Sequence, residues 1–139
     1  MAFFGEISAK EHNGLRLLVQ LAKTAHTNQP LSLGAVAKDE GLSTKYLEQL
    51  VRPFRAAGWV DSARGRHGGY QLVKDPRTIT LYDVVRVLDG EPTVVSCLTT
   101  RGVACPLADR CPSQRGWQTI QQAIHQSLRA MTLADLLKV

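Results

Sequence analysis

The chain has 139 residues, 44% of them hydrophobic, a formal net charge of +5 and three cysteines. That length supports one domain, with or without an appended arm, and the composition is that of an ordinary globular chain that folds. No stretch approaches the roughly 18 apolar residues of a membrane span, and residues 1–6 lack the basic start and apolar run of an export signal, which points to a cytoplasmic protein with reduced thiols.

The first apolar helical pattern runs through Leu15, Leu18, Val19, Leu21, Ala22 and Ala25 and stops in the polar stretch 26–30. Ser32 is placed to cap a short second helix carrying Leu33, Val36 and Ala37, and Gly41 suits a left-handed stop. Ser43 caps a third helix in which Tyr46, Leu47, Leu50, Val51 and Phe54 recur at spacings of three and four. One face therefore packs, while Lys45, Glu48, Gln49, Arg52 and Arg55 remain exposed. Two short helices joined through a glycine-containing turn make a helix-turn-helix, whose second helix fits a major groove.

After Gly58 the pattern changes. Residues 59–64 and 70–73 read as short strands joined by Gly65, Arg66, His67, Gly68 and Gly69, the layout of a wing. Glycine lets backbone approach phosphate closely, and arginine is drawn into a narrow minor groove, which singles out Arg64, Arg66 and His67. Between Leu42 and Lys74 there are six basic and two acidic residues, the electrostatic footprint of a DNA partner. A plain surface hairpin on a solvated charged face is the alternative. Within the third helix, Thr44, Lys45, Tyr46 and Arg52 are placed to touch phosphates or base edges, Glu48 to accept from cytosine, and Gln49 to pair with adenine.

Thr80 and Asp83 form a capping-box-like start for a helix with Leu81, Val84, Val85 and Leu88, which ends at Gly90. The following loop holds all three cysteines, Cys97, Cys105 and Cys111, with Gly102, Pro106 and Pro112. An odd number of thiols cannot pair off, and soft thiolates gathered on one loop suit zinc or an iron-sulfur cluster short of one ligand. Beyond it, Trp117, Ile120, Ile124, Leu128 and Met131 form a narrow apolar stripe above Gln121, Gln122 and Gln126. Such a stripe must be buried; the same helix of a second subunit would cover it and set two recognition helices one DNA turn apart, and packing on the chain's own domain is the alternative. Thr132 and Asp135 open a last short helix. The divisions are a winged-helix DNA-binding domain over 1–90, a cysteine loop over 91–112 and a dimerisation helix with a short terminal helix over 113–139. The fold class is mainly α with a small β-hairpin wing. No Ser/His/Asp constellation or phosphate-binding glycine loop argues for an enzyme.

The segment Tyr46-Leu47-Glu48-Gln49, the wing from Arg64 to Leu72, the three-cysteine loop and the ending from Thr132 to Leu136 together resemble the Rrf family of bacterial winged-helix regulators, over residues 7–137. The resemblance implies a homodimeric, DNA-binding transcription regulator, a repressor or an activator, acting on a pseudo-palindromic operator. It also implies a 4Fe-4S or 2Fe-2S cluster held by Cys97, Cys105 and Cys111 that senses iron, nitric oxide or redox state. The cysteine spacing, seven residues and then five, is similar to that of the NsrR-like and RirA-like branches. The IscR-like branch takes its fourth ligand from a histidine at the position of Gln114, so that ligand does not carry over. Other members recruit it from the first helix of the opposite subunit, where His12 aligns, with Glu11 beside it as an oxygen ligand or orienting group; Asp109, solvent or a small thiol are the alternatives. Zinc as a purely structural clamp in a DNA-binding protein is the competing cofactor.

Overall fold

Ser8 opens the first helix. Its hydroxyl accepts from the Glu11 amide at 3.1 Å while the Glu11 carboxylate accepts from the Ser8 amide at 2.9 Å, a capping box that starts α1 (Ala9–Thr24) before the apolar pattern at Leu15 begins. The buried Glu11 carboxylate thus serves as a cap. The computed structural model describes residues 6–98 and 105–138, so residues 99–104 of the cysteine loop, Gly102 among them, lie outside the described residues. Leu17, Leu18 and Leu21 of α1 are withdrawn entirely from water.

The helix-turn-helix follows the caps read from the sequence. Ser32 accepts from the Ala35 amide at 3.2 Å to start α2 (Leu33–Glu40), which Gly41 ends at φ +67°. Ser43 accepts from the Tyr46 amide at 3.1 Å to start α3 (Thr44–Ala56). In α3 Leu47, Leu50, Val51 and Phe54 are buried, and the Phe54 ring stacks on Trp59 with centroids 5.7 Å apart. Arg16 of α1 binds the end of α2 twice, Nε donating to Glu40 Oε2 at 2.6 Å and Nη2 to the Glu40 carbonyl at 2.8 Å, and the Gln20 amide donates to the other Glu40 carboxylate oxygen.

The wing is an antiparallel pair, β1 (Val60–Ala63) and β2 (Gly69–Leu72), with Val60 opposite Leu72 and Ala63 opposite Gly69. A third piece of chain joins its edge: Leu31, in the α1–α2 connection, exchanges both backbone hydrogen bonds with Tyr70 at 2.9 Å. Gly69 permits this approach, because a Cβ there would lie 2.4 Å from the Leu31 carbonyl oxygen.

Thr80 and Asp83 close a capping box on α4 (Leu81–Asp89), whose Leu88 sits against Gly14 of α1. Ser8 Oγ donates to Asp89 at 3.0 Å and Lys10 Nζ to the Leu88 carbonyl at 2.7 Å, so the ends of α1 and α4 are locked together. The long helix α5 (Pro112–Ala130) leads into α6 (Leu133–Leu136), started by the Thr132 and Asp135 box. Leu133 donates to the Ile79 carbonyl at 2.8 Å and is fully buried, returning the chain to the main core. No helix among the described residues is long and apolar enough to cross a membrane.

The apolar stripe of α5 is split. Ile124 and Leu128 are half-buried, whereas Trp117, Ile120 and Met131 stay 44–47% exposed. Polar groups make the helix's hydrogen bonds to its own domain: His125, buried, shares a 2.7 Å hydrogen bond with the Pro92 carbonyl, and Gln121 Oε1 accepts from the Val94 amide at 3.2 Å. The His125 ring meets Tyr82 of α4 edge-on at 5.0 Å, and Arg129 lies 3.9 Å over the Tyr82 ring.

Two outcomes follow. Gly69→Ala forces β2 away from Leu31 and lowers stability by about 1–3 kcal/mol, measured by the urea midpoint; an unchanged midpoint contradicts the stitched edge. The Gln20 amide, and with it the Arg16 guanidinium, hold the Glu40 carboxyl below its ordinary value against partial burial. Its contribution is therefore complete above the unfolded carboxylate range and lost as pH falls through the lower folded value. Glu40→Gln flattens that acid limb of stability against pH, and an unaltered limb would contradict the assignment.

Candidate nucleic-acid interface and cysteine loop

The apolar face of α3 packs inward, which turns Thr44, Lys45, Glu48, Gln49 and Arg52 outward, all of them exposed. Arg64, Arg66 and His67 are exposed at the wing. Among the described residues none of Lys45, Arg52, Arg64 and Arg66 takes part in a salt bridge, so their charge is available to an anionic partner. Between the wing tip and the start of α2 lies an open cleft of about 700 Å³ lined by Gln29, Ser32, Arg66 and His67. The Leu31–Tyr70 stitch ties the wing to the segment just before α2.

Tyr46 stands apart from its neighbours on α3. It is half-buried, packed on the core, and its hydroxyl accepts from Asn13 Nδ2 of α1 at 3.4 Å. A phenol that accepts one bond keeps its own hydrogen to donate, so a phosphate contact through Tyr46 is still chemically open.

Cys97, Cys105 and Cys111 are free and half-buried. Cys97 lies in a 3-10 turn (Ser96–Leu98), and Cys111 stands at the N-cap of α5. The Ser113 hydroxyl, 3.1 Å from Cys111 Sγ, and the amides of Gln114 and Ser113 hold that thiol below its usual value, which favours the thiolate. Donor chemistry therefore suits a thiophilic metal or cluster, but donor positions do not close on one centre: among the described residues no three His, Cys, Asp or Glu side chains converge to hold a metal ion. His12 is exposed on the first turn of α1, and Asp109 lies in a 3-10 turn (Ala108–Arg110) before Cys111. Sequence reading missed Asn13, Arg16 and His125 as organising residues. Their partners Tyr46, Glu40 and Pro92 lie 24 to 33 positions away, and no local pattern encodes such contacts.

Helix-turn-helix, wing and exposed basic side chains together define a winged-helix DNA-binding protein. Residues 7–139 match the family described as Rrf2, iron-dependent transcriptional regulator, and the chain belongs to that family. It is 41% identical to the HTH-type transcriptional regulator CymR of Bacillus subtilis (strain 168), over 94% of this chain and 88% of that protein. It is 35% identical to IscR of Yersinia enterocolitica over 77% of this chain and 64% of that protein. The solved structure of B. subtilis CymR, described as the global cysteine regulator, superposes with a TM-score of 0.78, 39% identity and 96% coverage of each chain. The chain is thus a transcription regulator of a DNA-binding family, and its relatives are regulators and not enzymes.

Arg64→Ala is expected to weaken binding across related DNA sites. Glu48→Ala should relax discrimination at one base pair, each change being roughly 1–3 kcal/mol. Titration of the variants against duplexes carrying single substitutions checks both. Equal loss at every position from Glu48→Ala would remove it from base readout.

Proposed function

We propose that this chain is a homodimeric transcriptional repressor that binds a pseudo-palindromic operator and senses iron, nitric oxide or redox state through an iron-sulfur cluster on the loop 97–111. Thr44, Lys45, Glu48, Gln49 and Arg52, with Tyr46 as a phosphate donor, contact the major-groove side, and Arg64, Arg66 and His67 the minor groove. The second subunit covers the exposed Trp117, Ile120 and Met131 of α5. Cys97, Cys105 and Cys111 would hold the cluster, with His12 supplied by the second subunit, and such a centre supplies reactivity toward oxidants and nitric oxide.

The observation that carries this reading is the mounting of the loop. Both its ends rest on α5: the segment before Cys97 through Pro92–His125 and Val94–Gln121, and Cys111 as the helix's own N-cap. A shift of the cysteines is therefore delivered to the helix that carries the dimer face. The family's description as iron-dependent supports the same reading.

A second reading is favoured by the relatives. CymR, described as a global cysteine regulator, shares more identity with this chain than IscR does, which supports a cysteine-responsive regulator. Zinc held by the same thiols as a clamp is a third arrangement of the same donors. Anaerobic purification followed by visible spectroscopy and metal analysis separates them. A brown, broadly absorbing sample lost in Cys105→Ala and Cys111→Ala is the expected result. A colourless chain with stoichiometric zinc, or with no metal after reconstitution with iron and sulfide, would overturn the cluster reading.

A further inference from the structure

A chain of polar contacts ties the helix-turn-helix to α1 and ends on Tyr46, the half-buried residue beside the exposed reading residues of α3. Asn13 Nδ2 donates to the Tyr46 hydroxyl at 3.4 Å, and Asn13 Oδ1 accepts from Arg16 Nη1 at 3.2 Å. Arg16 grips both the side chain and the carbonyl of Glu40, the last residue of α2. The chain therefore runs from the end of α2 across α1 to the first turn of α3, and it spans the turn at 41–43.

Apolar packing alone does not fix how α3 is set. The buried faces of Leu47, Leu50 and Phe54 fix which side of α3 turns inward, but burial itself is non-directional and leaves the fine setting of the helix's first turn to directional contacts. Hydrogen bonds are directional and supply that restraint. Tyr46 is two residues before Glu48 and three before Gln49 on the same rigid helix, so a small rotation at Tyr46 displaces both base-reading side chains. Site geometry of this kind has to hold within about 0.5 Å.

We propose that Asn13 is a positioning residue for base readout: by holding the Tyr46 hydroxyl it sets the rotation of α3, and so governs discrimination between operator and unrelated DNA. Overall attraction to DNA, carried by exposed basic side chains that Asn13 does not touch, is independent of it. The inference rests on α3 being the reading helix.

A double-mutant cycle tests it. The unaltered chain selects a duplex from a random-sequence pool, and affinities for that duplex and a shuffled one are measured for Asn13→Ala, Tyr46→Phe and the double variant. Alanine is the best helix former, so α1 is retained, and thermal midpoints are followed throughout. Asn13→Ala is expected to lower the preference for the selected duplex by about threefold to tenfold and to leave the shuffled duplex unchanged, and the double variant to lose no more preference than Tyr46→Phe. Additive losses in the cycle, or an Asn13→Ala loss equal on both duplexes, would overturn the proposal. Glu48→Ala serves as the control: preference lost there but kept in Asn13→Ala sinks the inference alone, whereas preference kept in Glu48→Ala sinks the assignment of α3 with it.

Discussion

Helix α3 presents a polar face to a partner because its opposite face is completely withdrawn from water. Leu47, Leu50, Val51 and Phe54 bury against Leu17, Leu18 and Leu21 of α1, and each large side chain so buried is worth roughly 1.5–3 kcal/mol. That burial decides which residues face out. With it in place, Lys45, Glu48, Gln49 and Arg52 are left on the solvent side, and the Leu31–Tyr70 stitch ties the wing to the segment before α2.

The cysteine loop is attached to this unit through polar contacts. His125 is buried between the Pro92 carbonyl and the Tyr82 ring, and removing it would leave that carbonyl unpaired in a dry setting, a cost of about 1–3 kcal/mol. Tyr82 belongs to α4, whose end is locked to the start of α1 by Ser8 and Lys10. A continuous path of contacts thus links the loop, α5, α4 and α1, and α1 packs against α3.

Much of this was legible in the chain itself. Ser32, Ser43, Thr80 and Thr132 cap helices where expected, because a cap is a local exchange between one side chain and an amide three residues on. The wing could be read from its glycines for the same reason. Ser8 and Glu11 carried an equally local signal, but the apolar pattern at Leu15 drew the helix start inward. What periodicity could not supply is the role of polar residues on packed faces. His125 and Gln121 look like solvent-side residues of an amphipathic helix until the segment 92–94 arrives beneath them, and Tyr46, legible as a packing residue and a DNA contact, gives no local sign of its bond to Asn13. The cysteine spacing offers candidate donors, and the described residues do not bring them to one point.

The central claim is that two copies of this chain read DNA together, each through α3 and its wing. Hydroxyl-radical footprinting of the unaltered chain on a duplex it has selected tests this most directly. Two symmetric protected zones about one helical turn apart, roughly 10–10.5 base pairs between centres, with further minor-groove protection where the wings enter, is the predicted result. A single asymmetric zone, or protection without twofold symmetry, would contradict the account.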